Sequence, residues 1–297
     1  MSSILSNRVQ KVKPSATMAV SDKAKELKSQ GIQIVSMGSG EPDFDTPANI
    51  QKAAVKAIGA GETRYTPADG TPELKKAICE KFKRENGLDY SATEVMVSCG
   101  GKQVFYNLCQ AILNEGDEVI IPTPYWVSYP DMAILADATP VFIEAGLDQD
   151  FKITPDQLEA SITPKSKLFV LNSPSNPTGS VYSRSEIIAL GEVLERHPHV
   201  LTISDDIYEH IRWGEDDFVN IAMACPNLKE RVVILNGVSK AYAMTGWRIG
   251  YAAGPEAVIK AMKKIQGQST SNPSSISQAA ALEAITGDQS FISMMVE

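Results

Sequence analysis

Residues 232–253 read VVILNGVSKAYAMTGWRIGYAA and contain two apolar runs separated by a polar segment. The first run, Val232–Leu235, is typical of a strand buried in a parallel sheet. Lys240 and Arg248 lie between it and the second run, Ile249–Ala253. A lysine among small residues can form a Schiff base with a carbonyl compound, and an arginine can bind a phosphate through two hydrogen bonds. A lysine considered alone is more often a solvated surface residue, so the other segments must decide.

The composition is that of an ordinary globular protein, with 43% hydrophobic and 22% charged residues in a chain of 297. This length permits one large core or two domains. A net charge of −8 argues against binding to a nucleic-acid backbone. The four cysteines form no CxxC pair, which favours a reduced, cytoplasmic protein, and no signal peptide or membrane span is predicted. His197, His199 and His210 suggest no metal site, and none is assigned.

Apolar runs alternate with amphipathic segments along most of the chain. The runs predict strands at 32–37, 95–97, 119–121, 140–143, 168–171, 201–204, 232–235 and 249–253. Helices are predicted up to about Gln30, from near Pro72, and over 47–58, 103–113, 126–136, 155–162, 185–196, 255–265 and 276–285. The pattern predicts an α/β fold, with a mostly parallel sheet covered by helices on both faces. Gly38-Ser39-Gly40 lacks the third glycine of a dinucleotide-binding turn, so that fold is rejected.

Polar residues follow several predicted strands, at the edge where α/β proteins bind ligands. Gly100 and Gly101 open a helix whose N–H groups suit a phosphate, although a plain turn explains them equally well. Trp126 can stack on a flat ring or cover the core. The loop Asn172–Gly179 offers amides that can bind a ligand or hold turns. Asp205 can pair with a ring nitrogen or cap a helix.

Taken together, these strand ends offer phosphate donors, an aromatic ring, an amide, a carboxylate, a lysine and an arginine. A pyridoxal-phosphate site requires this set of groups.

The most specific segments are Asn172–Gly179, Ser204–Tyr208 and Ser239–Gly250. With them the chain resembles the class I/II aminotransferases, which are fold-type I pyridoxal 5′-phosphate enzymes. It is most similar to the bacterial aspartate/prephenate branch, a similarity carried by further segments: Lys13–Thr17, Gly40–Phe44, Gly100–Gln103 and Pro124–Tyr129. The resemblance implies a fold-type I architecture, with a mostly parallel central sheet between helices and an incomplete small domain.

The resemblance assigns Lys240, Asp205 and Tyr208 as the catalytic residues. Lys240 matches the Schiff-base lysine, which moves a proton between the substrate and the cofactor. Asp205 matches the acid that pairs with the pyridine nitrogen, and Tyr208 and Asn176 match donors to the phenolic oxygen. Burial and the nearby Arg248 are expected to lower the pKa of the lysine nitrogen.

The remaining cofactor contacts follow from the same resemblance. Trp126 matches the aromatic residue that stacks on the ring. The phosphate-binding set comprises Gly101, Lys102 through its backbone N–H, Ser239, Arg248 and Tyr65. Tyr65 matches a tyrosine supplied by the neighbouring subunit, which implies a homodimer with shared active sites. The implied substrate-binding residues are Gly40, Trp126, Asn176, Thr17 and Lys102, the last two recognising an acidic side chain.

Family members extend further than this chain and carry a second arginine that binds the substrate α-carboxylate. No arginine follows Arg248 here. We therefore expect residues 1–45 to be the N-terminal part of a small domain and 46–297 the large cofactor-binding domain, with the rest of the small domain absent. A fragment of a longer product and a shortened protein with weaker substrate binding both remain open. A helix over Ile276–Val296 would then lack its packing partner and be prone to association.

The implied activity is transamination between an acidic L-amino acid, aspartate or glutamate, and a 2-oxo acid such as 2-oxoglutarate. No nucleic-acid or membrane partner is expected. The alternatives are a β-lyase or decarboxylase on the same scaffold, an aminotransferase with prephenate or aromatic specificity, and a cofactor-binding protein without turnover. The preferred donor is left open.

Overall fold

The computed structural model describes residues 4–14, 16–35, 38, 40–214 and 217–297, without the side chains of residues 16–18. Its centre is a seven-stranded sheet with the order β1-β7-β6-β5-β4-β2-β3. The strands are β1 (Val95–Ser98), β2 (Glu118–Thr123), β3 (Thr139–Glu144), β4 (Ser166–Asn172), β5 (Leu201–Asp205), β6 (Val232–Gly237) and β7 (Gly250–Ala253).

Strand β7 is antiparallel to both of its neighbours, β1 and β6. All other pairs of neighbouring strands in the sheet are parallel. The predicted mostly parallel sheet is therefore confirmed. The direction of β7 also matters for the site. Because β7 runs in reverse, Arg248, two residues before its start, lies at the edge where the parallel strands end.

Helices cover both faces of the sheet. They are α1 (Asn7–Lys11), α2 (Ala16–Ser29), α3 (Ala48–Gly59), α4 (Pro72–Asn86), α5 (Gly101–Ile112), α6 (Ser128–Leu135), α7 (Pro155–Ser161), α8 (Arg184–Arg196), α9 (Ile221–Ala224), α10 (Glu256–Gln268), α11 (Ser275–Thr286) and α12 (Ser290–Val296). Side chains of α3, α4, α8 and α11 share one core with one face of the sheet, and those of α5, α6 and α10 share a second core with the other. Alternation within a strand explains the two cores, since Val95 and Val97 enter the first and Met96 the second.

The predicted strand at 32–37 is not formed where the structure describes it. Residues 32–35 have no regular structure, Val35 is 88% exposed, and residues 36 and 37 lie outside the described part. A short apolar run becomes a strand only if it finds a neighbour to pair with. The N-terminal segment instead contacts the rest of the chain through side chains, for example the Arg8–Asp137 ion pair of 2.8 Å.

The predicted apolar helix over Ile276–Val296 is two helices, α11 and α12, separated at 287–289. Asp288 accepts hydrogen bonds from the N–H and the hydroxyl of Ser290, which starts the second helix. Phe291 packs edge-on against Phe44 at 5.9 Å, so this segment has packing partners within the chain. No helix in the described part of the chain is long and apolar enough to cross a membrane.

Candidate active site

The start of α5 forms one wall of the site. Gly100 precedes the helix with a φ of 90°, and Gly101 and Lys102 occupy its first two positions. N–H groups of a first helical turn have no partner inside the helix, so they remain available to an anion. Gly250 of β7 packs directly on this turn, because a Cβ atom there would come within 2.9 Å of the Gly101 Cα. The predicted phosphate turn is thus tied to the sheet.

Arg248 forms the opposite wall of the same cradle. Its backbone has a φ of 56°, and its Nη1 donates a 2.8 Å hydrogen bond to the Thr245 carbonyl. A Cβ atom at Gly100 would lie 2.9 Å from the guanidinium carbon of Arg248. Only glycine leaves room for the arginine here, so the fold brings a guanidinium and a bare helix N-terminus together. This combination suits a phosphate group.

Asp205 ends β5 and is almost completely buried, with 4% exposure. The Tyr129 hydroxyl donates a 2.6 Å hydrogen bond to its Oδ2, and the Ile207 N–H donates to its Oδ1 at 3.3 Å. Burial raises the pKa of Asp205 to about 6, against the opposing effects of these hydrogen bonds and of the Lys240 charge. Asp205 is therefore a carboxylate that a nearby cation would strongly stabilise.

Tyr208 and Asn176 meet beside this carboxylate. The Asn176 side-chain amide donates a 3.3 Å hydrogen bond to the Tyr208 hydroxyl. Asn172, at the end of β4, holds both segments: its Oδ1 accepts from the Asn176 N–H at 2.8 Å, and its Nδ2 donates to the Asp205 carbonyl at 2.9 Å. Burial, with the neighbouring Asp205 charge, raises the pKa of Tyr208 to about 12.

Lys240 lies three residues beyond Gly237, the last residue of β6, and its side chain reaches back over the site. Its Nζ donates a hydrogen bond to the Gly40 carbonyl and lies 5.7 Å from the centre of the Tyr208 ring. Burial lowers the pKa of Lys240; the Arg248 charge adds to this effect, whereas the acidic Glu41 and Asp205 oppose it. The direction agrees with the sequence-based expectation.

Trp126 lies in the loop before α6, although a helix was predicted to include it. The Lys102 ammonium lies 5.1 Å from the centre of the Trp126 ring, and Tyr129 meets that ring edge-on at 5.2 Å. Burial, with the Arg248 charge, lowers the pKa of Lys102. Part of the Trp126 ring packs on the second core and part is available at the site. The sequence allowed either a core-covering or a ring-stacking role, and the position of Trp126 is compatible with both.

The other predicted site residues lie at different distances from the site. The Gly40 carbonyl accepts a hydrogen bond from Lys240, and the buried Ser239 directly precedes Lys240 in the chain. The Tyr65 side chain is 91% exposed, and no described contact joins it to the site. The side chain of Thr17 lies outside the described residues.

Tyr129 contacts the site but was not among the residues predicted from the sequence. Its position three residues after Trp126 was part of the matched segment, but nothing local indicated that its hydroxyl reaches Asp205, which is 76 residues away.

The histidines do not change the metal assignment. His197 and His199 bond to the Glu159 carboxylate and the Thr163 carbonyl, respectively. His210, Glu85 and Glu209 bring one potential ligand atom each within 4.8 Å of one another. The ammonium of Lys81 already contacts both carboxylates, so this group is an ion network around a buried lysine.

The arrangement fits pyridoxal 5′-phosphate on its own geometry. A Cβ atom at residue 100 would fill the space next to the Arg248 guanidinium. Because residue 100 is a glycine, this cradle stays open. The Lys240 amine, whose pKa is lowered, lies 5.7 Å from the centre of the Tyr208 ring and interacts electrostatically with the buried Asp205 and with Arg248. These groups match an aldehyde, a ring nitrogen, a phenolic oxygen and a phosphate.

Comparisons with known proteins agree with this geometry. Residues 32–297 match the family model of aminotransferase class I and II. The aspartate/prephenate aminotransferase of Nitrosomonas europaea is 59% identical over 293 residues, which cover 99% of this chain and 74% of that protein. The protein of the same name from Cereibacter sphaeroides is 60% identical over 97% of this chain and 72% of its own length.

Solved structures give the same result. The aspartate aminotransferase from Rhizobium meliloti superposes with a TM-score of 0.95 at 50% identity, covering 98% of this chain and 73% of that one. The Thermus thermophilus aspartate aminotransferase with maleate superposes with a TM-score of 0.94 at 46% identity, covering 98% and 76%.

Fold and site together define a pyridoxal-phosphate-dependent enzyme of fold-type I. The chain belongs to the aminotransferase class I and II family, whose reaction is pyridoxal-phosphate-dependent transamination. The predicted family, fold class, cofactor and reaction type are thereby confirmed.

Proposed function

We propose that this enzyme transfers an amino group between an acidic L-amino acid, aspartate or glutamate, and a 2-oxo acid such as 2-oxoglutarate. The observation that carries the proposal is the position of Lys240. Its amine contacts the Gly40 carbonyl and lies beside Tyr208, within electrostatic reach of Asp205 and Arg248. The similarity of the chain to aspartate/prephenate and aspartate aminotransferases supports the acidic donor.

In this proposal Lys240 has two tasks. When bound, the cofactor supplies an aldehyde for the amino group and a ring that accepts electrons. The Lys240 amine would hold the cofactor through that aldehyde in the resting enzyme and, when free, would move the proton of the substrate α-carbon. A pKa lowered by burial increases the neutral fraction of this amine, which is the form that can accept a proton.

Asp205 and Tyr208 would hold protons on the ring. Asp205, oriented by Tyr129, would accept a hydrogen bond from the ring nitrogen and so keep that nitrogen protonated. Tyr208 and Asn176 would donate to the phenolic oxygen. Gly101, Lys102 through its N–H, Ser239 and Arg248 would bind the phosphate, and Trp126 would stack on the ring.

Substrate recognition involves a second group of residues. The Gly40 backbone, Trp126 and Asn176 contact the substrate near its α-carboxylate. The Lys102 ammonium, together with Thr17, binds the side-chain carboxylate. The position of the Lys102 ammonium, 5.1 Å from the centre of the Trp126 ring, supports this role.

We propose that the enzyme works as a homodimer in which Tyr65 reaches the phosphate of the neighbouring subunit. The support is its exposure of 91% in the single chain, which is unusual for a tyrosine without a partner. We retain residues 1–45 as part of a small domain and 46–297 as the large domain, since every residue of both cores lies beyond residue 46. The four free thiols favour a reducing, cytoplasmic location.

The test is covalent and chemical. Borohydride reduction of the cofactor-loaded protein should attach the cofactor to Lys240, as shown by peptide mass mapping. Lys240→Ala should abolish amino transfer from aspartate to 2-oxoglutarate, whereas Lys260→Ala, an exposed lysine of α10, should leave it unchanged. Labelling at another lysine, or ammonia and pyruvate released from a cysteine conjugate without amino transfer, would contradict the proposal.

A further inference from the structure

A buried polar network lies behind the site, on the far side of the segment that carries Tyr208. Its centre is Glu209, which is 5% exposed and follows Tyr208 directly. Lys81 of α4 is 1% exposed and donates to Glu209 Oε1 and to the Asn86 side-chain oxygen. Asn86 in turn donates to Glu209 Oε2 at 3.1 Å.

The same carboxylate also reaches the strand that leads to Lys240. The Asn236 side-chain amide, in β6, donates a 2.7 Å hydrogen bond to Glu209 Oε1. Asn236 Oδ1 accepts from the Gly237 N–H at 2.7 Å, which fixes the backbone just before the lysine loop. Glu209 therefore links the segment carrying Tyr208 to the segment carrying Lys240.

The other side-chain attachments of the segment after β5 include the Asn176–Tyr208 bond, the 3.0 Å contact of His210 with Glu85 and the packing of Ile207 on the second core. The backbone bonds of this segment are short-range turns, Glu209 N–H to Asp206 carbonyl and Ile211 N–H to Tyr208 carbonyl, with one bond from the Asp206 N–H to Leu235. Asp206 itself is buried and bonded to Ser204 and Asn220, and burial raises its pKa. Tyr208 thus depends on its neighbours for its position.

Stability alone is a poor explanation for this network. A buried ion pair must overcome the desolvation of both charges, and well-packed apolar residues often stabilise a fold equally well. A fully bonded buried polar network does, however, specify one geometry. We propose that Glu209, neutralised by Lys81, is a positioning residue that fixes the Tyr208 hydroxyl relative to the Lys240 amine.

This inference rests on the proposed roles of Tyr208 and Lys240. The decisive variant is Lys81→Met/Glu209→Leu, which replaces both charges by apolar side chains and removes every link through the carboxylate. Glu209→Gln is the conservative companion, since it keeps an acceptor oxygen. Lys83→Met/Asp89→Asn, an exposed pair reached from the same helix, is the matched control.

The first measurement uses cofactor-free protein. Amide hydrogen exchange over residues 206–211 should be roughly tenfold faster in the double variant, with exchange in the preceding strand β5 unchanged. The second measurement is equilibrium binding of pyridoxal 5′-phosphate, which should weaken about tenfold, as is typical when a supporting shell is lost. The pH midpoint of the visible absorbance of the bound cofactor should also shift. Glu209→Gln should lie between the double variant and the parent protein.

Unchanged exchange, affinity and absorbance midpoint in a folded double variant would overturn the proposal. If the double variant does not fold, Glu209→Gln decides by the same three measurements. A parent protein that fails to bind pyridoxal 5′-phosphate would instead contradict the proposed function, and the exchange result in cofactor-free protein would still stand by itself.

Discussion

The hydroxyl of Tyr129 and the carboxylate of Asp205 are joined by a 2.6 Å hydrogen bond inside the protein. The two residues come from different parts of the fold, the first turn of α6 and the last residue of β5. The bond occupies Oδ2 and opposes the effect of burial on the pKa of the acid. Tyr129 therefore determines both the orientation and the charge of the group proposed to hold the ring nitrogen.

Replacement of Tyr129 by phenylalanine removes this bond without removing the ring. We expect the pKa of Asp205 to rise above about 6, because the remaining interactions offset burial less well. Affinity for pyridoxal 5′-phosphate at neutral pH should fall about tenfold, since a charge-assisted hydrogen bond contributes roughly 1.5–3 kcal/mol and part of it is replaced by the bound cation. The measurement is a cofactor titration at several pH values.

Tyr182→Phe is the control for that experiment. Tyr182 is also a buried tyrosine, but its hydroxyl accepts from the Ile153 N–H at 2.8 Å. Its loss should lower the melting temperature and leave the pH dependence of cofactor binding unchanged. Equal effects of the two variants would show that the Tyr129 bond is only structural.

Gly100→Ala tests the phosphate cradle. The new Cβ atom would overlap the guanidinium of Arg248, and we expect cofactor affinity to fall about 10- to 100-fold as the arginine is displaced. Gly116→Ala is a close match, because Gly116 has the same φ of 90° and nothing within 4 Å of its Cβ position. Both variants should lose similar stability from backbone strain, so cofactor affinity separates them. Unaltered affinity in Gly100→Ala would remove Arg248 from the phosphate site.

The raised pKa of Asp205 predicts that the stability of the cofactor-free protein depends on pH. Its folded pKa of about 6 is raised from an ordinary value of 3.8, so its stabilising contribution is complete below pH 3.8 and is lost as pH rises through 6. As the pH rises from 3.8 to 6, the free energy of unfolding of Asp205→Asn should increase by about 3 kcal/mol relative to that of the parent. Urea unfolding at a series of pH values measures this difference. Asp148→Asn, an exposed acid, is the control, and a difference that is independent of pH would contradict the prediction.

Bound cofactor should reverse this trend for the parent protein. A protonated ring nitrogen supplies the cation that buried Asp205 lacks, so cofactor binding should stabilise the parent more than Asp205→Asn above pH 6.

Much of this molecule was predictable from local sequence. Continuous apolar runs such as Val232–Leu235 can be satisfied only inside a sheet covered on both faces, and that fixed the α/β class. Lys240, Asp205 and Arg248 were identifiable because each follows or precedes such a run with small or polar neighbours. The run at 32–37 shows the limit of this reasoning, since its described part has no partner strand and forms no sheet.

Only the tertiary structure decided which of these groups meet. The reversed direction of β7 carries Arg248 to the Gly100 turn, and the crossing of α6 over the sheet carries Tyr129 to Asp205. The Lys81–Glu209 pair joins residues 128 positions apart. Such contacts depend on strand order and on the closure of long loops, which periodicity and spacing do not encode. Sequence therefore determined the elements and the chemistry they carry, whereas topology determined the site.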